Sequence, residues 1–258
     1  MKNLLIVTFI VTVSSICALA QKPDSSKPPA PKPAAESSAV RLPSAADVLE
    51  KYVKAIGGRD ALQKFKTRYQ AGTVELSPMG LKGTIESYAR SDDRSLTKVS
   101  LAGIGDILDG YDGKTAWTVN PIQGSRIKEG RELLQTKRNN IFARESSIDK
   151  IYKSVTVRGI EKVGEHDTYV IVASSDGLPD DILYFDKENG LMLRSDTISI
   201  TPEGEQAVKT FYDDYREVDG IKSAFKIKAI TPAFEINSVI TEVKYGMPIE
   251  DSKFVQPK

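Results

Sequence analysis

The sequence predicts a mainly β protein, in which a curved antiparallel sheet of about a dozen strands forms an unclosed half-barrel covered on its concave face by helices. Short segments of alternating polar and apolar residues follow one another between residues 81 and 245, separated by turn residues. Helical periodicity is confined to the start of the folded part and to one interruption, so the β–α–β rhythm of a parallel sheet is missing. A sheet of this length curls, because its free edges would otherwise pair with other chains.

The first 20 residues predict a secretory signal peptide. Lys2 supplies a positive start, residues 4–13 form an apolar core, and Ala18-Leu19-Ala20 matches the Ala-x-Ala cleavage pattern. A membrane anchor is the alternative interpretation, but the apolar run is short for a span and Ser14-Ser15 interrupts it. We therefore expect export across the inner membrane to the periplasm, with no transmembrane segment after cleavage.

The only cysteine, Cys17, lies inside this leader. Ile16 precedes it where lipid attachment requires a small residue, so we do not expect lipidation. Cleavage would leave a domain without disulfides, a thiol nucleophile or a cysteine-based zinc site. It would also remove Lys2 and leave 35 basic and 35 acidic residues, from 36 and 35 in the full chain. This balance argues against nucleic acid or an anionic membrane as a partner through bulk charge.

Residues 21–42 predict a proline-rich disordered linker. Their prolines favour polyproline II, and the segment has too few apolar residues to build a core. Fully extended at ~3.1 Å per residue, the segment would span roughly 65–70 Å and suit a tether. A plain disordered N-terminus is the other interpretation. Residues 43–258 are numerous enough for one domain with its own core.

Two helices open the folded part. Ser44 is a predicted N-cap and Asp47 stands at the capping-box position. Apolar residues then follow a one-faced helical pattern from Ala45 to Ile56, and Gly57-Gly58 ends it. A second short helix is predicted from Asp60 to Phe65. A third helix, near residues 131–142, interrupts the strands, and we expect these helices to cover the sheet.

Strands account for the rest of the domain. Alternation predicts strands at residues 81–86 and 97–101, and Asp112-Gly113 predicts a hairpin turn into a strand at Ala116–Val119. That strand contains the only tryptophan, Trp117, and Asn120-Pro121 ends it because proline lacks the N–H that a sheet requires. The later predicted strands are 154–163, 168–174, 180–185, 191–199, 207–215, 224–231 and 234–245.

Three segments resemble the LolA- and LolB-like family of periplasmic carriers, the outer-membrane lipoprotein-sorting proteins. They are the turn and strand of residues 111–121 (YDGKTAWTVNP), the strand–turn–strand of residues 184–194 (YFDKENGLMLR) and the hairpin of residues 214–227 (DYREVDGIKSAFKI). In the hairpin, Ala224 precedes Phe225 where the family often has proline. The resemblance runs from about Ser44 to Phe254 and implies a half-barrel that carries a lipid or acyl chain beneath a helical lid.

Few residues suggest catalysis. The only histidine, His166, lies in a polar turn, where we expect a solvated residue rather than a general base with a nucleophile beside it. A single histidine excludes a multi-histidine metal site, whereas a carboxylate site for Ca²⁺ stays open. We expect no enzymatic activity, no catalytic residue, no cofactor and no metal.

The acidic pairs Asp92-Asp93, Asp180-Asp181 and Asp213-Asp214 do not predict an acid–base dyad, because adjacent strand residues point to opposite faces. The basic residues Arg126, Lys128 and Lys137-Arg138 either form a patch near one rim or belong to a solvated helix face. We favour the solvated face.

Two functions follow from this pattern. The first is a periplasmic protein that carries a lipid or acyl chain in an apolar groove, where each buried CH₂ contributes ~0.8 kcal/mol. The alternative is that the same residues form a closed core, because alternation predicts facing and not empty space. The predicted ligand-binding residues are Ile85, Val99, Leu101, Trp117, Phe225 and Ile227 from the sheet, and Leu49, Val53 and Ile56 from the lid.

The second function is a non-catalytic envelope sensor or scaffold of the same fold that binds another protein, with the proline-rich arm as its tether. Its groove would hold a peptide or nothing. A co-purified lipid would distinguish the two functions.

Overall fold

The computed structural model describes residues 41–257, so the predicted signal peptide (residues 1–20) and residues 21–40 of the predicted linker lie outside the described residues. The domain is built on one sheet of 13 strands, each antiparallel to its neighbours. The two edge strands do not pair with each other within residues 41–257, so the sheet stays open. The predicted fold class, an unclosed antiparallel sheet with a few helices, is confirmed.

The helices are α1 (Ala45–Ala55), α2 (Gly58–Lys64), α3 (Gly130–Asn139) and α4 (Ile148–Ile151), with short 3₁₀ helices at Arg144–Ser146 and Asp251–Phe254. The strands are β1 (Thr67–Ser77), β2 (Leu81–Arg90), β3 (Ser95–Leu101), β4 (Gly105–Tyr111), β5 (Ala116–Asn120), β6 (Gly124–Ile127), β7 (Ser154–Val163), β8 (His166–Ser175), β9 (Leu178–Asp186), β10 (Met192–Thr201), β11 (Gly204–Val218), β12 (Ile221–Ile230) and β13 (Glu235–Tyr245).

The sheet consists of two meanders joined at a seam. The strand order is β6-β5-β4-β3-β2-β1-β13-β12-β11-β10-β9-β8-β7, so β1 and β13 pair at the centre and β6 and β7 form the edges. The register at the seam shifts by one residue between Ala71 and Gly72. The segment between β6 and β7 connects one edge of the sheet to the other, and it contains α3 and α4.

Helix α1 begins where its capping box predicts. The Ser44 hydroxyl accepts from the Asp47 N–H at 3.1 Å, and the Asp47 carboxylate accepts from the Ser44 N–H at 3.3 Å. The helix ends at Ala55, and the chain turns at Gly57, whose φ of 120° is readily adopted by glycine and strained for other residues. A Cβ at this position would lie 2.1 Å from the Gly220 carbonyl oxygen, so the α1–α2 junction sits directly on the β11–β12 turn.

The main core lies between these helices and the β7–β13 meander. α1 buries Val48, Leu49 and Val53, and the ring of Tyr52 lies 5.0 Å from that of Phe185 on β9. The apolar face of α1 therefore packs against the sheet. The other buried members of this cluster are Ile56, Leu62, Ile148, Tyr152, Ile171, Ala173, Leu183 and Ile221.

A second core lies on the β1–β6 meander. Trp117 packs with Leu96 and Phe254, and its indole N–H donates to the Phe254 carbonyl at 3.2 Å. The ring also covers Gly110, where a Cβ would lie 2.2 Å from it. The segment after β13 thus clasps this half of the sheet, and Arg90 reinforces the clasp by pairing with Asp251 at 2.6 Å.

Some elements differ from the sequence expectation. Alternation does not reveal β1, β4 or β6, because β1 contains a register shift, β4 is rich in glycine and aspartate, and β6 has only four residues. Helix α3 ends at Asn139, with Asn140 as its C-cap, rather than near residue 142, and the chain turns at Ala143, where φ is 51°. The strand at Ala116–Asn120 and its stop before Pro121 are as predicted.

Candidate functional site

A cavity of about 510 Å³ lies between the sheet and the helices. Its floor is formed by residues of β9 to β12, and its other walls come from α1, α2, α3, α4, β1 and the 3₁₀ helix at Arg144–Ser146. Small-molecule sites in proteins commonly enclose about 300–1,000 Å³, so this space is large enough for a ligand. The domain therefore contains a space of ligand size in addition to its packed cores.

Hydroxyl groups cover much of the floor. Ser195, Thr197 and Ser199 alternate along β10 and all line the cavity. Tyr212 and Tyr215 on β11 both reach it although they are three residues apart, because Asp214 between them has φ 52° and breaks the alternation. Such polar strand positions are indistinguishable in sequence from a solvent-facing strand.

These tyrosines are held by specific bonds. The Tyr212 and Ser195 hydroxyls lie 3.1 Å apart, and the Tyr215 hydroxyl donates to the Met192 carbonyl at 2.6 Å. Burial raises the pKa of both phenols, so both remain neutral donors at neutral pH. The floor is thus an uncharged hydrogen-bonding surface.

A buried ionic cluster forms one end of the cavity. Arg138 on α3 pairs with Asp181 on β9 at 2.9 Å, and their side chains are 7% and 3% exposed. The Tyr152 hydroxyl donates to Asp181 at 2.5 Å and accepts from the Arg144 guanidinium at 3.0 Å. Burial, as the main cause, raises the pKa of Tyr152 to about 12. One carboxylate oxygen of Asp181 has no hydrogen-bond partner among the described residues.

The cavity wall carries more positive than negative charge. Arg68, Arg138, Arg144 and Lys222 line it against two carboxylates, Glu145 and Asp181. Arg68 and Glu145 lie 3.6 Å apart, which is an ion-pair distance but too long for a strong hydrogen bond. The apolar part of the wall is formed by Ile56, Leu62, Ile148, Leu183, Met192, Ile198, Val208, Ile221, Ala224 and Ile227.

Of the nine predicted ligand-binding residues, Ile56 and Ile227 line this cavity. Leu49 and Val53 lie instead in the main core beneath α1, where they are fully packed. These two residues fasten the helix to the sheet and are not available to a ligand in this cavity.

Ile85, Val99 and Leu101 share the face of the cavity but lie outside its walls. Gln70 lines the cavity and pairs with Ser87, which pairs with Thr97. Paired residues in an antiparallel sheet share a face, and so do residues two apart along a strand. Ile85 lies two residues from Ser87 on β2, and Val99 and Leu101 lie two and four residues from Thr97 on β3. All three belong to the other half of the sheet.

Trp117 lies on the opposite face. Trp117 pairs with Gly110, which pairs with Leu96. Leu96 pairs with Tyr88, and Tyr88 pairs with Tyr69, the residue next to Gln70. Adjacent residues point to opposite faces, so Trp117 points away from the cavity and into the core closed by Phe254.

Phe225 is also absent from the cavity wall. It packs with Ile240 and Val243, and the Arg216 guanidinium lies 4.7 Å from its ring centre. Of the two predicted residues on β12, only Ile227 lines the cavity.

Sequence reasoning missed the charged cavity residues. Lys137-Arg138 was expected on a solvated helix face, yet Arg138 is buried and paired with Asp181, which corrects this interpretation. Asp180 is exposed and Asp181 is buried, so the pair does point to opposite sides as expected. Arg126 pairs with Glu132 through two bonds of 2.7 Å, so it also belongs to a local ion pair.

His166 lies at the start of β8, half exposed, with its Nδ1 2.8 Å from the buried Asp186 carboxylate. That carboxylate also accepts from the N–H groups of Glu188 and Asn189 and so closes the β9–β10 turn. No serine or threonine hydroxyl contacts His166 within residues 41–257. In the same residues there is no group of three or more histidine, cysteine or acidic side chains that could hold a metal ion.

Helix α3, which we call the strap, is tied across the cavity by polar bonds. Arg131 donates to the Gly177 carbonyl at 2.9 Å and pairs with Glu205 at 2.6 Å. The Gln135 amide donates to the Ile198 carbonyl at 2.6 Å and accepts from the Ile200 N–H at 3.0 Å. The strap therefore spans from the β8–β9 turn to β11 and is fastened there by polar side chains.

None of the helices in the described part of the chain is long and apolar enough to cross a membrane.

No family model matches the sequence, and no curated protein matches it either. Solved structures do resemble it. A LolA superfamily protein from Nitrosomonas europaea is 12% identical with a TM-score of 0.55, and the match covers 83% of this chain and 99% of that one. A DUF1329 family protein from Desulfovibrio piger is 15% identical with a TM-score of 0.54, covering 81% and 96%.

An outer membrane lipoprotein-sorting protein domain from Vibrio parahaemolyticus is 11% identical with a TM-score of 0.51, over 80% of this chain and 95% of that one. Identities this low establish the fold alone. All three structures are matched over nearly their whole length. The chain therefore has the LolA-like fold that its turn and hairpin segments predicted.

Proposed function

We propose that this protein is an exported, non-catalytic periplasmic binding protein that carries a lipid or acyl chain in the cavity between β9–β12 and the helices. The observation that carries the proposal is the cavity of about 510 Å³ beneath the strap. Export is supported by the predicted signal peptide at residues 1–20. The fold shared with a lipoprotein-sorting domain agrees with it.

The wall suits a chain that carries a polar group. Ile198, Val208 and Ile227 offer apolar surface, on which each buried CH₂ contributes ~0.8 kcal/mol. The neighbouring hydroxyls of Ser195 and Tyr212 offer hydrogen bonds that a pure hydrocarbon would leave unused. The groove is thus less apolar than the one that the sequence predicted, and it favours an amphipathic ligand.

The strap supplies a route for the ligand. Arg131 and Glu205 are each about half exposed, and exposed ion pairs of this kind contribute ~0–1 kcal/mol. Water can replace such bonds when the strap swings away, whereas α1 could leave only by exposing the main core. We therefore assign the movable cover to α3 rather than to the opening helices.

Native mass spectrometry tests the proposal. The protein is purified without detergent from cells that express the full chain, and its mass is compared with that of the processed polypeptide. Additional mass that matches a lipid or acyl chain supports the proposal. A clean mass, together with failure to take up added lipid, contradicts it.

A matched pair of variants links any bound mass to the cavity. Thr210 lines the cavity and Lys209 beside it is exposed. Thr210→Trp should fill the space and remove the additional mass, whereas Lys209→Trp should retain it. Equal retention by both variants would place the ligand elsewhere.

The second candidate function is the envelope sensor or scaffold. It is favoured by exposed apolar residues on the turns of one rim, Met79 between β1 and β2 (53% exposed) and Ile122 between β5 and β6 (78% exposed). In a meander these alternate turns lie at the same end of the sheet. A clean mass in the first experiment would direct attention to a protein partner at this rim.

A further inference from the structure

We infer that the ligand of this cavity is an anionic amphiphile, whose carboxylate or phosphate group is held by Arg144 with help from Arg68. The inference rests on the proposed function and specifies the chemical class of its ligand. It depends on which N–H donors of the cavity arginines already bind other residues and which do not.

Arg144 is the one cavity arginine without an ion-pair partner among residues 41–257. Its guanidinium donates to the Tyr152 hydroxyl at 3.0 Å and makes one long contact of 3.5 Å with the Asn139 side-chain oxygen. A guanidinium has five N–H donors, and none of those on Arg144 is within ion-pair distance of a carboxylate of residues 41–257. A half-buried guanidinium with free donors is the group that binds carboxylate or phosphate most strongly.

The nearest buried carboxylate is already neutralised by other groups. Asp181 forms an ion pair with Arg138 at 2.9 Å and accepts from the Tyr152 hydroxyl at 2.5 Å. Since Tyr152 uses its proton on Asp181, its oxygen lone pair faces Arg144. Arg138 and Asp181 therefore balance each other, and the positive charge of Arg144 is left to the cavity.

Arg68 adds a second donor on the β1 side. Its only ion-pair partner among the described residues is Glu145, at 3.6 Å, which leaves its hydrogen-bonding capacity largely free. The wall has four cationic against two anionic side chains, and one bound anion would reduce this excess. A chain attached to that anion would extend along β11 past Tyr212 to Val208, toward the β10–β11 turn.

The experiment compares ligands that share a chain or a charge. Binding of dodecanoate, dodecanol, dodecyl phosphate, acetate and inorganic phosphate to the delipidated protein is measured by calorimetry at pH 7. Dodecanoate and dodecyl phosphate should bind about tenfold more tightly than dodecanol, because one charge-assisted hydrogen bond contributes this factor. Acetate and inorganic phosphate should bind far more weakly than either amphiphile.

Two variants assign the charge to its residues. Arg144→Gln should weaken dodecanoate about tenfold and leave dodecanol unchanged, and Arg68→Gln should act in the same direction with less effect. Arg158→Gln removes the same charge from the exposed pair with Glu161 on β7 and should leave both affinities unchanged. If Arg144→Gln does not fold, as judged by circular dichroism, Arg68→Gln still decides the inference.

The outcomes separate this inference from the proposed function. Equal affinity for dodecanoate and dodecanol, unaltered by either cavity variant, would overturn the anionic site and leave a lipid carrier. Free acetate or phosphate that binds as tightly as the amphiphiles would indicate a site for small anions and overturn the amphiphile. If neither dodecanoate nor dodecanol binds, both the inference and the proposed function are wrong.

Discussion

The two helical covers of the sheet, the α1–α2 cap and the α3 strap, are attached by different forces. α1 buries Val48, Leu49 and Val53 in the main core. In the strap the buried side chains are Gln135, Thr136 and Arg138, and Leu134 is 43% exposed. Both helices are amphipathic by pattern, yet only the first turns its apolar side to the sheet. The cap is therefore part of the core, whereas the strap is held by hydrogen bonds and ion pairs, whose strength depends on direction.

This difference determines what each cover can do. Apolar burial has no preferred geometry and is lost only when the packed surface is exposed to water. A hydrogen bond to the strap can be exchanged for one to water, at a net cost of about 0.5–1.5 kcal/mol. The strap is anchored more firmly at Arg138, whose ion pair is buried, than at Arg131, whose ion pair is exposed. We expect it to pivot at Arg138 and open at Arg131.

The buried anchor gives the largest expected effect. Arg138→Met leaves Asp181 charged and buried, so the free energy of unfolding should fall by about 3–5 kcal/mol. The double variant Arg138→Met with Asp181→Leu should recover most of this loss, because Asp181 is then no longer an unpaired buried charge. Urea denaturation of the two single variants and the double variant provides the measurement. A double variant as unstable as Arg138→Met would mean that the anchor is held by packing, like the cap.

One substitution made in both covers compares them directly. Leu49→Ala should lower the free energy of unfolding by about 2–5 kcal/mol, because it leaves a cavity in the main core. Leu134→Ala should change it by less than about 0.5 kcal/mol, because that side chain is already exposed. The denaturant midpoints of the two variants measure these losses of stability. Similar losses would contradict the contrast between the covers.

The smallest expected effect concerns pH. Burial raises the pKa of Tyr152 to about 12, from an unfolded value of about 10. The folded state therefore prefers the protonated phenol, and this stabilisation is complete below pH 10 and lost as pH rises toward 12. The stability difference between the natural protein and Tyr152→Phe should shrink across that window, whereas the Leu49→Ala deficit should stay constant. Parallel stability curves for the natural protein and Tyr152→Phe between pH 9 and 12 would exclude this role for the phenol.

Local signals predicted local structure well. The Ser44–Asp47 capping box predicted the start of α1, and Asp112-Gly113 predicted the hairpin turn between β4 and β5, where Gly113 has φ 92°. Such features depend on a few neighbouring residues, so a single sequence contains them. The resemblance to LolA-like proteins added the overall arrangement of sheet and helices.

The site itself was predicted only in part, for physical reasons. Alternation shows that Trp117 and Val119 share a face, but it does not indicate which face is concave. Arg138 and Asp181 are separated along the chain by a 3₁₀ helix, α4 and the strands β7 and β8, so their pairing depends on the fold. Serine and threonine at alternate positions of β10 are typical of a solvated strand, and only the structure shows that they face an enclosed space.

The seam between β1 and β13 has a consequence for how the molecule is made. Ala71 and Glu242 face each other there, so this pairing closes a loop that contains nearly the whole domain. Local hairpins form quickly, whereas contacts this distant along the chain slow folding. Wherever the chain folds from its N-terminus onward, β1 keeps an unpaired edge until β13, the last of the thirteen strands in residues 41–257, has followed it, and during that interval the edge is open to other copies of the chain.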